Sequence, residues 1–176
     1  MDHLKYPIGK YSPPENISKS DLDGWISTIE NFPGEVKRKT ENLAEADLQK
    51  TYRPGGWTLR QLVHHCADSH MNAFIRFKLA LTEDCPTIKP YEEALWAELP
   101  DTVEMPINAS LQILEGLHVR WAFLLENLTE SQLQRQYTHP EHGKNFTLAF
   151  TAGMYSWHCN HHLAHVQQAL IHKGEF

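Results

Sequence analysis

The chain has 176 residues, enough for one domain whose core needs neither disulfides nor a structural staple. Hydrophobic residues at 41% and charged residues at 22% are ordinary globular values that exclude wholesale disorder. A net charge of -6 argues against a nucleic-acid binder, which would need a basic face for phosphate.

No run approaches the ~20 apolar residues that span a bilayer. The opening Met1-Asp2-His3-Leu4-Lys5 lacks the basic and then apolar pattern of a signal peptide. Cys66, Cys85 and Cys159 form no CxxC pair and read as reduced thiols. The expectation is a cytoplasmic protein forming a single domain over residues 1–176, with a small-molecule substrate and neither nucleic acid nor membrane as partner.

Residues 1–17 carry Pro7, Pro13 and Pro14 and read as an extended arm. A first helix is expected from Ser20, capped with the help of Asp23. Leu22, Trp25, Ile26, Ile29, Val36 and Leu43 recur along it at helical spacing. Pro33-Gly34 predicts a kink or interruption. The second helix follows the turn at Arg53-Pro54-Gly55-Gly56, and Thr58 with Gln61 forms a T-x-x-Q capping box. Leu59, Leu62, Val63, Cys66, Ala73, Phe74 and Phe77 share one face of it. His65 lies on the flank of that stripe, on the side of Ser69, Asn72 and Arg76.

A long crossover with Pro86, Pro90, Pro100 and Pro106 comes next, holding a short helix around residues 91–98. The third helix opens near Asn108 or Ser110 and carries Leu111, Leu114, Leu117, Trp121, Leu124, Leu125 and Leu128. Residues 137–144 read as a turn-rich arm, and no alternating run is long enough for a strand. The fourth helix runs from about Thr147 to about Ile171, with Gly174 as its stop. The fold class is therefore all-α, a four-helix bundle with a long crossover between helices two and three.

Histidine is the compositional anomaly. There are 12, against 9 glycines and 10 prolines, and His158, His161, His162, His165 and His172 fall on the last helix. Residues four apart share a helix face, so an H-x-x-x-H pair directs two imidazoles at one ion. Spacing alone leaves two registers open, His158 with His162 or His161 with His165. A third donor must come from elsewhere, and His64-His65 on the second helix is the evident source. His70 and His118, alone on apolar faces, read as core histidines.

Three strings together resemble the DinB superfamily: Gly55-Gly56-Trp57-Thr58, the run from Val63-His64-His65-Cys66 to His70-Met71-Asn72, and Trp157-His158-x-x-His161-His162-Leu163-Ala164-His165. The resemblance is strongest to its YfiT-type branch of metal-dependent hydrolases and extends over nearly the whole chain. It implies a four-helix bundle whose one divalent ion per subunit, zinc or nickel, is held by three histidines, commonly in a homodimer. The family pattern maps onto His65 and onto His158 and His162. His165 stands where the family has glutamine.

Three neutral imidazoles leave an ion its charge and an open position, where bound water acidifies to a pKa of ~7. Hydrolysis is the expected chemistry. A low-molecular-weight thiol in the same position makes an S-transferase of the bacillithiol type, and a non-catalytic metal-binding module is a third reading. Asp68, Asn72, His161 and His165 are candidates to bond the ligand rings from behind. Arg76 is a candidate for an anionic substrate, with a surface salt bridge as its alternative. Cys66 and Cys159 adjoin proposed ligands but point ~100° away and read as packed thiols. Tyr91, Trp96 and His139 are candidates to roof the pocket.

Overall fold

The computed structural model describes residues 2–176; Met1, the first residue of the expected arm, lies outside them. One helical turn, α1 (Asp2–Lys5), forms where only extended chain was expected, and residues 6–17 follow without regular structure. This arm lies along the last helix. Trp157 Nε1 donates to the Gly9 carbonyl at 3.1 Å, and Gln168 Nε2 donates to the Leu4 carbonyl at 2.9 Å.

The first long helix, α2 (Lys19–Thr40), is capped two residues before the expected Ser20. Ser18 is its cap, exchanging hydrogen bonds with Asp21 at 2.8 and 3.1 Å, while Asp23 pairs with Lys19 instead. The helix also runs through Pro33-Gly34 rather than breaking there. Proline at 33 removes the amide that would bond the Ile29 carbonyl. His118 replaces it from a neighbouring helix, Nδ1 to O at 2.5 Å.

After the short α3 (Glu45–Leu48), helix α4 (Leu59–Thr82) opens as expected. Thr58 N donates to Gln61 Oε1 at 2.9 Å, and Gln61 N donates to Thr58 Oγ1 at 3.2 Å. The crossover holds two single-turn helices, α5 (Glu93–Trp96) and α6 (Pro100–Val103). Its first part is pinned to the later hairpin by Ile88 N on the Thr138 carbonyl and Thr138 N on the Pro86 carbonyl. Its second part is pinned to α4: Gln61 reaches the Ala97 carbonyl at 2.9 Å, and Arg60 reaches the Met105 carbonyl at 2.6 Å.

Helix α7 (Asn108–Glu126) and the short α8 (Glu130–Leu133) precede an antiparallel hairpin, β1 (Gln136–His139) with β2 (Lys144–Thr147). The reading of residues 137–144 as an arm without strands is corrected here. Four-residue strands alternate too briefly to register as a period of two. Tyr137 nonetheless points inward and bonds Thr151 at 3.1 Å. Helix α9 (Leu148–His172) is capped by Thr147 and ends with Lys173 and Gly174 at positive φ.

Helices α2 and α4 each pack against both α7 and α9, so α2 and α4 stand diagonally opposite in the bundle. This makes α4 and α9, the two histidine-rich helices, neighbours. The apolar stripe expected on α4 is buried throughout, and Phe32, Phe77, Leu114 and Trp121 fill the centre. No helix of the described residues is long and apolar enough to cross a membrane.

Close packing has a testable signature at two glycines. A Cβ on Gly153 of α9 would meet Trp25 carbons at 2.8 and 2.9 Å, whereas one on Gly116 of α7 meets nothing within 4 Å. Gly116→Ala should therefore raise the unfolding free energy by about 1 kcal/mol through helix propensity. Gly153→Ala should lower it by about 1–3 kcal/mol through overpacking. Urea denaturation of both variants checks the opposite signs.

Candidate metal centre

His158 and His162 sit one helical turn apart on α9, and their rings meet with centroids 4.3 Å apart and Nε2 atoms 3.1 Å apart. Helix α4 brings His65 to the same point, its ring 5.5 Å from His158 and 5.0 Å from His162. One nitrogen from each of the three lies within 4.8 Å of the others. His64 turns away, bonding Ser110 Oγ at 2.7 Å and the Met105 carbonyl at 3.0 Å. Of the adjacent pair, His65 is the one that faces α9.

His161, His162 and His165 form a second, overlapping group. His165 Nε2 donates to the Lys5 carbonyl at 3.2 Å, and its Nδ1 lies 3.4 Å from Nδ1 of His162. A carbonyl only accepts, so the proton of neutral His165 sits on Nε2 and its Nδ1 accepts from His162. His162 is left with an unprotonated Nε2 aimed at the first group. The second group thus orients the first rather than competing with it. His161 stacks on Trp157 at 4.4 Å, and its buried Nδ1 has no partner.

Burial disfavours the charged imidazole and keeps these rings neutral. It pushes His65 down to about 4 and His165 to about 3, and it holds His158 and His162 well below the usual histidine range. A neutral ring is the ligand form. Three such rings on two helices, joined among the described residues by no carboxylate or thiol, fit a divalent transition ion with open coordination. Cys66 and Cys159 are buried on other faces, and burial pushes both thiols up.

Other expected residues divide. Asn72 spends its amide on the Asp68 carbonyl of its own helix at 2.9 Å, so it does not brace a ligand ring. Asp68 makes no hydrogen bond to the three rings; burial, helped by Asp101, pushes its carboxyl up to about 6. Arg76 is no surface salt bridge. It is 8% exposed and has no carboxylate ion pair among the described residues, and its charge bears on Tyr155, Tyr137 and His139. Tyr155 bonds the Ser69 carbonyl at 3.2 Å and stands 5.4 Å from the His158 ring. Tyr91 packs on Trp96 at 4.5 Å, with the Ser69 side chain easing the upward push of burial on its hydroxyl.

Two residues read as plain core belong to the site's surroundings. His70 Nε2 lies 3.0 Å from Nδ1 of His158, and His70 Nδ1 lies 2.7 Å from Nε2 of His118. The available signal was their solitude: histidines on apolar faces of separate helices need polar partners, and each is the other's.

The family model of the DinB superfamily matches residues 33–166, and the chain belongs to that superfamily. A protein of Halalkalibacterium halodurans is 50% identical over 171 residues, covering 97% of this chain and 98% of its own. YfiT of Bacillus subtilis is 47% identical over 166 residues, 94% of this chain and 93% of its own. Both carry the provisional name of metal-dependent hydrolase. The solved structure of YfiT, described as an unusual four-helix bundle topology, superimposes with a TM-score of 0.94 at 46% identity, covering 98% of each chain.

Buried neutral histidines make stability pH-dependent in a defined direction. His118 falls from 6.5 to about 4 on folding, so the unfolded chain takes up the proton first. Its contribution is complete above the unfolded value and is lost as the pH falls from 6.5 towards 4. His118 alone should cost roughly 3 kcal/mol across that window. Urea titrations of chelator-treated protein should show stability flat above neutrality and falling steeply below it.

Proposed function

We propose that this chain is a metal-dependent hydrolase of small molecules, with one divalent ion per subunit held by His65, His158 and His162. The observation that carries the reading is the convergence of three neutral imidazoles, joined among the described residues by no fourth histidine, cysteine or carboxylate in that group. A divalent ion bound there supplies a Lewis acid and acidifies the water it binds. Zinc and nickel both suit an all-imidazole set.

The chain's own residues give the rest of the pocket its character. His165 and the Lys5 carbonyl fix the tautomer of His162. Arg76, buried and without a carboxylate ion pair among the described residues, supplies positive charge to the wall that Tyr155 and Tyr137 share. That charge suits a substrate with a carboxylate or a polarised carbonyl. Tyr91, packed on Trp96, brings its hydroxyl to the Ser69 side chain. A homodimer accords with the apolar concavity that Phe74, Val119 and Phe123 line between α4 and α7.

Protein purified without a tag and loaded with zinc or nickel should cleave members of an ester and amide panel with no thiol present. His65→Ala should weaken ion binding by at least about 100-fold and abolish turnover while the helical circular dichroism persists. Substrate consumption only when a low-molecular-weight thiol is added would replace hydrolysis with thiol transfer. Tight ion binding with neither activity would make the chain a metal-binding module.

A further inference from the structure

Pro33 deprives the Ile29 carbonyl of its helical donor, and three buried rings lead from that carbonyl to the metal centre. His118 Nδ1 stands 2.5 Å from the Ile29 oxygen, His118 Nε2 is 2.7 Å from His70 Nδ1, and His70 Nε2 is 3.0 Å from His158 Nδ1. The chain crosses from α2 through α7 and α4 to α9. His70 and His118 are 0% exposed and lie against Phe32 and Trp121. No carboxylate bonds either ring among the described residues, and burial holds both neutral.

A neutral imidazole has one donating and one accepting nitrogen. The carbonyl only accepts, so the protons along this chain have a single consistent order. His118 donates from Nδ1 and accepts on Nε2. His70 then donates from Nδ1 and accepts on Nε2. His158 must donate from Nδ1, which leaves its Nε2 unprotonated. The reverse order would set a ring lone pair against the Ile29 oxygen in a dry interior, at the cost of an unmade hydrogen bond.

We infer that His118 and His70 are positioning residues that, anchored on the carbonyl freed by Pro33, lock His158 as the tautomer whose Nε2 lone pair faces the ion. The inference rests on the reading of His158 as a metal ligand. Its consequence is electrostatic. His162 is locked in the same sense from the opposite side by His165 and Lys5, so two lone pairs face each other across 3.1 Å with no proton between them. Only a shared cation relieves that arrangement.

The test combines a spectrum of the ion-free protein with an affinity series. Two-bond proton–nitrogen correlation of nitrogen-15-labelled, chelator-treated protein should assign the proton to Nδ1 at His118, His70 and His158. His118→Phe should bind zinc and nickel about 10–100-fold more weakly, the usual effect of losing a group behind a ligand ring. His118→Gln should retain most of the affinity, because its amide can donate to Ile29 and its carbonyl can accept from His70. Pro33→Ala returns an amide to the Ile29 carbonyl, so it should weaken ion binding several-fold while stabilising the helix. It also stands in if His118→Phe fails to fold. A proton on Nε2 of His158 in the ion-free chain overturns the relay, as do His118→Phe and His118→Gln binding alike. If the unaltered protein binds neither ion, the metal reading fails, and the nitrogen spectrum still decides the relay by itself.

Discussion

A neutral imidazole buried away from water must find an acceptor for one nitrogen and a donor or a cation for the other. This bundle buries a row of them where four helices meet, and much of its interior follows from satisfying that demand. His64 is satisfied by Ser110 and the Met105 carbonyl, and so ties α4 to the crossover. His165 is satisfied by the Lys5 carbonyl, and so ties the arm to α9. His118 is satisfied by Ile29, and so joins α7 to α2. His65, His158 and His162 are the rings that converge on one point. A divalent transition ion fits that point as a partner common to all three.

The long helices were legible because each carries a wide apolar stripe, and α4 doubly so, since Thr58 and Gln61 announce its first turn. The pairing of His158 with His162 was half legible. Spacing of four identifies partners on a helix, but His161 with His165 has the same spacing, and only the rotation of α9 against α4 separates the two. That rotation is tertiary and leaves no local mark. The same holds for His70 and His118, whose significance exists only once α4, α7 and α9 are packed together. Pro33 misled for a related reason: a helix breaker in isolation is harmless when another helix supplies the missing donor. The hairpin at β1 and β2 was too short for its alternation to show.

The electrostatics also bear on which chemistry the site supports. Cys66 and Cys159 sit beside ligand positions, yet both thiols are buried and pushed towards the protonated state, so neither serves as a ready nucleophile. Asp68 has no bond to a ligand ring. The positive charge buried near the three rings is therefore that of Arg76, to which a divalent ion, if bound, would add its own. Substrates whose charge becomes more negative as they react suit such surroundings, and those that develop positive charge do not.

The crossover is fastened at both ends, to the hairpin through Thr138 and to α4 through Gln61 and Arg60, with Tyr91 and Trp96 on the span between. The converging imidazoles thus stand on two long helices, while Tyr91 and Trp96 stand on a span held at its two ends. Among the described residues, the hydrogen bonds to the rings of His158 and His162 come from other histidines and not from that span. The span can therefore vary in sequence while the histidine frame keeps its own bonds, an arrangement suited to diversification.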